Sequence, residues 1–149
     1  MSILAGYPEL IACIMGWLVS SLLKIPTYYS IHRRINLKQA FRTGGMPSSH
    51  AATVTATTLA IGLFSGFDHP AFALAVAVSM IVIYDAAGVR REAGYHAVII
   101  NRLIDEYVKG PLIDQKKLKE MIGHTPLEVV GGVISGTLTT LILWLIWPK

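Results

Sequence analysis

Residues 127–147, LEVVGGVISGTLTTLILWLIW, hold one ionisable side chain, Glu128, in 21 positions. A helix of that length matches the roughly 20 apolar residues needed to cross a hydrocarbon core. Three more stretches read the same way: Ile3 to Leu23, His50 to Phe67 and Pro70 to Ala87. With 149 residues, 53% of them hydrophobic, and a mean hydropathy of +0.54, the chain suits one domain and is too apolar for an ordinary soluble one. The expected fold class is therefore all-α: an integral membrane helical bundle of about four transmembrane helices, forming a single domain over residues 1–149.

The first span lacks a basic start, carries Glu9 and has Lys24 only at its far end, so it reads as a retained helix rather than a cleaved leader. Lys24, Arg33, Arg34, Lys38 and Arg42 lie between spans one and two. Arg90, Arg91, Arg102, Lys109, Lys116, Lys117 and Lys119 lie between spans three and four. The positive-inside rule then places both long loops in the cytoplasm and both termini outside, in a multi-pass protein of the cell membrane. The same charges suit anionic headgroups, and with no recognition motif beside them a pI near 9.3 does not call for nucleic acid as a partner. The single Cys13 sits in an apolar run and reads as a small packed hydrophobe, uninformative about redox compartment.

Ser65 to Pro70 reads as a turn between antiparallel helices, with His69 as a solvated loop residue. Between Gly88 and Pro126 the chain is too long to be structureless. Ala97, Ile100, Leu103, Ile104 and Tyr107 recur at helical spacing, which predicts an amphipathic helix over about Glu92 to Val108 lying near the interface. Gly110-Pro111 should end it, and Asp114 to Met121 can form a second short helix. Gly131, Gly132, Ser135 and Gly136 in the last span suit close helix packing in lipid. Four short spans enclose little volume, so pairing as a homodimer is a further expectation.

Two short runs carry chemistry: Gly44-Gly45-Met46-Pro47-Ser48-Ser49-His50 and Gly123-His124-Thr125-Pro126-Leu127-Glu128. Each sets a histidine at the start of an apolar helix, and the topology brings both to one membrane face. Helix N-termini offer unpaired N–H groups to an anion, and Ser48 and Ser49 can cap the helix or donate to phosphate oxygens. Imidazoles can serve as nucleophile and as general acid, and Glu128, four residues after His124, can fix its tautomer. Taken alone, Pro-Ser-Ser-His reads equally well as a capped helix start. Asp85, an acid at the end of a span, calls for a partner in Arg90 or Arg91, with a catalytic or metal-binding role as the alternative. His32 and His96 have no nearby ligand set, and no metal is expected.

These motifs resemble the superfamily of type 2 phosphatidic acid phosphatases and vanadium-dependent haloperoxidases, and most closely its small divergent bacterial and plant branch. Pro47-Ser48-Ser49-His50 echoes the superfamily's Pro-Ser-Gly-His, and His124, Glu128, Val129 and Gly132 echo a later His followed by Asp, Val and Gly. Gly-Gly-Met-Pro-Ser-Ser-His, then Tyr84-Asp85-Ala86-Ala87-Gly88-Val89-Arg90-Arg91, then Gly-His-Thr-Pro-Leu-Glu-Val match the divergent branch in order. The resemblance implies that His124 attacks phosphorus, Glu128 orients it and His50 protonates the leaving oxygen, with Ser48 and Ser49 on the phosphate. It implies no cofactor. The usual early Lys and Arg map poorly onto Lys24 with Arg33 or Arg34, and Leu118 stands where an Arg precedes the nucleophile. Lys24, Arg42, Arg90 and Arg91 are therefore the candidate phosphate-binding cations.

Composition, topology and resemblance together lead to the expectation of a metal-independent lipid phosphatase acting at the cytoplasmic face on a phospholipid or polyprenyl lipid. Phosphatidylglycerophosphate is favoured, ahead of phosphatidic acid and polyprenyl phosphates or diphosphates. The alternatives are a non-catalytic phospholipid-binding or lipid-transport protein that keeps the phosphate cradle, and a structural membrane subunit.

Overall fold

The computed structural model describes residues 6–42, 44–107, 117–118 and 123–148, and all regular structure among them is helical. Helix α1 spans Pro8–His32, opening with Pro8 at its first turn and Glu9 against the positive end of the dipole. It runs nine residues past the expected end at Leu23, and Pro26 does not stop it. Its end is set at Arg33, whose left-handed φ of 54° lets its N–H reach the Tyr29 carbonyl at 2.8 Å. This extension places Lys24 within the bundle instead of at its margin.

After a short 3-10 turn, Leu37–Phe41, the chain doubles back through Gly44 and Gly45, whose φ values of 94° and 85° favour glycine. Helix α2, Ser49–Ala60, continues as a π-helical turn, Ile61–Ser65, and ends at Gly66. Helix α3 spans Pro70–Ala87; His69 lies in an exposed loop and also caps it, Nδ1 accepting from the Ala71 N–H at 3.2 Å. Helix α4 spans Val89–Tyr107, and helix α5 spans Pro126–Ile146.

Helix α2 is the hub, packed against α1, α3 and α5. Its inner surface is alanine: Ala51, Ala52, Ala56 and Ala60 are all fully buried. Facing glycines let the backbones touch, since a Cβ at Gly132 would fall on the Ser48 carbonyl, one at Gly136 on the Ala52 carbonyl, and one at Gly16 on the Ala56 side chain. Thr140 of α5 donates to the Ala56 carbonyl at 3.1 Å, adding a polar tie across the same seam.

Three helical stretches are long and apolar enough to cross a membrane: Pro8–His32, Pro70–Glu106 and Pro126–Ile146. Where the second span was expected, from His50 to Phe67, the structure has a 12-residue helix prolonged by the five-residue π turn, which is not among these three. Its reliance on Ala and Thr reflects burial among helices rather than exposure to lipid. Helix α4 starts three residues before the expected Glu92 and turns small residues inward: Gly94, Ala97 and Asn101 are buried, while Ile100 and Leu103 are exposed. Small residues take the protein side, and the larger apolar ones remain outward, as suits an interfacial helix. Gly110-Pro111 and the expected helix from Asp114 to Met121 lie outside the described residues, except Lys117 and Leu118.

Candidate functional site

The two histidine runs meet at the N-terminal ends of α2 and α5. Thr125 caps α5 by accepting from the Glu128 N–H at 3.3 Å, and the Glu128 carboxylate accepts from the Thr125 N–H at 3.1 Å. This reciprocal capping box leaves the carboxylate facing back toward His124. Glu128 Oε2 lies 3.0 Å from His124 Nδ1, so the carboxylate holds the proton on that nitrogen and frees Nε2 as a lone pair. The His124 main chain is fixed as well, its N–H donating to the Ala86 carbonyl at 3.0 Å. Gly123 permits this approach, because a Cβ there would lie 2.5 Å from the backbone of Arg91.

His124 is 2% exposed, and its ring meets that of His50 edge-on, with centroids 5.7 Å apart. His124 Nε2 and His50 Nδ1 are both buried without a hydrogen-bond partner. Buried polar atoms without a partner are few in native proteins, and a catalytic role or a bound ion is among the reasons for them. The two runs are also locked by their backbones, since the Ser48 N–H donates to the Glu128 carbonyl at 2.8 Å.

Lys24 brings a cation into the centre of the site. It is 2% exposed, and its Nζ donates to the Arg42 carbonyl at 3.0 Å and to Ser49 Oγ at 3.1 Å. It also lies within coulombic range of Glu128 and of His50. Ser48 Oγ accepts from the Ala51 N–H at 3.3 Å as the cap of α2, and Ser49 lines a cavity of about 370 Å³ beside His50. The Arg42 side chain reaches Gln39 Oε1 at 3.4 Å and borders both that cavity and a second one of about 190 Å³ near Lys24 and Glu128.

Asp85 pairs with Arg90, with Oδ2 and Nε 2.6 Å apart, and both lie within coulombic range of His50. Arg91 points elsewhere: its Nε donates to the Tyr95 hydroxyl at 3.2 Å and its guanidinium sits over the Tyr95 ring. The geometry thus gathers His124, Glu128, His50, Ser48, Ser49 and Lys24, sets Arg42 and the Asp85–Arg90 pair at the margin, and leaves the Arg91 side chain outside.

Two polar anchors, one beside Arg42 and one on α4, were not visible in the motifs. Asn101 grips the main chain of Leu118 in both directions, Nδ2 donating to the carbonyl and Oδ1 accepting from the N–H, each at 2.9 Å. A polar residue on the same helical stripe as Ala97 was the available signal. Gln39, within the basic segment after α1, carried no such signal.

The chain matches the model of the Divergent PAP2 family over residues 7–139. It is 35% identical over 154 aligned residues to the "Uncharacterized membrane protein YuiD" of Bacillus subtilis, covering 96% of this chain and 97% of that protein. No solved structure matches. The chain belongs to the divergent PAP2 family of membrane proteins.

Proposed function

Taking that family membership as the premise, we propose that the chain is a lipid phosphatase working through a phosphohistidine intermediate. His124 Nε2 attacks phosphorus, the bond from phosphorus to the lipid oxygen breaks, and His50 gives its proton to the departing oxygen. Water then attacks the phosphohistidine, His50 takes a proton from it, and the phosphorus–nitrogen bond breaks to release phosphate. Glu128 holds the tautomer throughout, and Lys24 with Ser49 and the α2 and α5 N-termini offset the charge on the phosphoryl oxygens. Arg42 and Arg90 reinforce this field from the rim.

The observation that carries the reading is the pair of unpartnered buried nitrogens on facing imidazoles, one of them aligned by a carboxylate at 3.0 Å. On this reading α2 with its π turn counts as a fourth pass, so both termini lie outside and the site faces the cytoplasm, where phosphatidylglycerophosphate is the first candidate substrate. Purified protein in detergent should release phosphate from phosphatidylglycerophosphate or phosphatidic acid, and His124→Ala and His50→Ala should each remove that release. Equal release from wild type and variants contradicts the mechanism.

A second reading, a phospholipid-binding protein without turnover, draws on Leu118. Its main chain is held by Asn101 at the position where the resemblance leads to an arginine. That reading expects lipid phosphate to bind without any release.

A further inference from the structure

Helices α1 and α3 both pack on α2 without packing closely on each other. The gap between them is a groove floored by α2, made of two cavities of about 370 and 360 Å³ that share Thr53 and Val54. The first cavity holds His50, Ser49 and Arg42 at its polar end. The second continues to Cys13, Ile61 and Ala71. From His50 to Ile61 the groove follows α2 for about 16 Å at helical rise.

Beyond Ser49 at the polar end, its lining hydroxyls donate to groups of the protein itself. Thr53 donates to the Ser49 carbonyl at 2.7 Å and Thr57 to the Thr53 carbonyl at 2.8 Å. Thr58 and Ser79 bond each other at 2.7 Å and reach the Ala75 and Val54 carbonyls. With those protons donated, this part of the groove offers a polar occupant no free hydroxyl donor, and polar groups are costly to bury without a partner.

A groove that is charged where it meets His50 and apolar for the rest of its length has the shape of a phosphate ester with one long hydrocarbon chain. We propose that it holds one chain of the phosphorylated lipid, with the phosphate at His50 and His124 and the chain's far end beside Cys13. This rests on the reading of the two histidines as a phosphate site. A larger apolar cavity of about 780 Å³, lined by Phe67, Phe72, Met80 and Tyr84, reaches neither imidazole and does not compete for that chain.

Cys13 is the chain's only cysteine, so its alkylation rate reports on the far end of the groove. The protein in phosphatidylcholine vesicles is treated with a thiol reagent in the presence of dodecyl phosphate, butyl phosphate or dodecanol. At four times its dissociation constant, an occupant lowers the reactive fraction about fivefold. Dodecyl phosphate should give that protection, whereas butyl phosphate and dodecanol should not. Val78→Phe, which fills the groove from α3, should abolish the protection; Val130→Phe, on the exposed face of α5, should retain it. Equal labelling with all three probes, or equal protection by dodecanol, overturns the groove assignment even if phosphate release still depends on His124. Protection by dodecyl phosphate without any phosphate release keeps the groove and removes the phosphatase reading.

Discussion

At His124 the side chain is held by one bond to the Glu128 carboxylate and the main chain by one to the Ala86 carbonyl, while Thr125 N–H holds that carboxylate and Ser48 N–H holds the Glu128 carbonyl. Such outer partners commonly change activity by about 10- to 100-fold when removed, and Glu128→Gln should lower kcat in that range while leaving the fold intact. Lys24→Met removes a buried charge and leaves the Arg42 carbonyl and Ser49 unpaired, so kcat/KM should fall by about 10²- to 10³-fold, as for loss of an oxyanion donor. Steady-state phosphate release by the two variants checks both statements, and an unchanged kcat/KM for Lys24→Met would show that another cation serves the phosphate. The His124–Glu128 pair was legible in the sequence because the two residues lie one helical turn apart, whereas His50 stood out from a capped helix start only beside that second run and the family resemblance. Lys24 was legible only as a charge, because nothing in a local pattern shows that α1 continues through Pro26 and folds its last turns over the α2 N-terminus.

Helix pairing rests on small residues whose absence of side chain is the functional property. Gly136→Ala places a methyl against the Ala52 carbonyl and should cost about 1–3 kcal/mol by overpacking, read as a lower unfolding midpoint in detergent. Thr140→Val removes one interhelical hydrogen bond and should cost only about 0.6 kcal/mol, because such bonds are individually weak in membranes. A larger loss for Thr140→Val than for Gly136→Ala would reverse this ordering of packing over hydrogen bonding. The glycines of α5 were readable as a packing surface from sequence. The character of α2 was not, since an Ala- and Thr-rich segment of moderate hydropathy looks like a weak span until its neighbours are seen to enclose it. The protein-facing side of α4 was not legible either, because periodicity locates an apolar stripe without saying whether protein or lipid covers it.

For the whole molecule, two chain segments about 75 residues apart, each ordinary as a helix start, meet beside α2, and the proposed function makes them one phosphoryl-transfer site. The distribution of Lys and Arg supports an orientation with both ends outside. Single cysteines introduced in a Cys13→Ser background test it: Gly6→Cys and Pro148→Cys should react with an impermeant reagent from outside, and Gln39→Cys only from inside. Opposite sides for the first two would mean that α2 does not cross. The most direct test of the chemistry is to quench the protein during turnover of a phosphatidic acid carrying labelled phosphate and to locate the label. The phosphohistidine mechanism requires acid-labile, base-stable phosphate on His124, absent from His124→Ala. Label that appears only as free phosphate in both proteins, or on a residue other than His124, would contradict it.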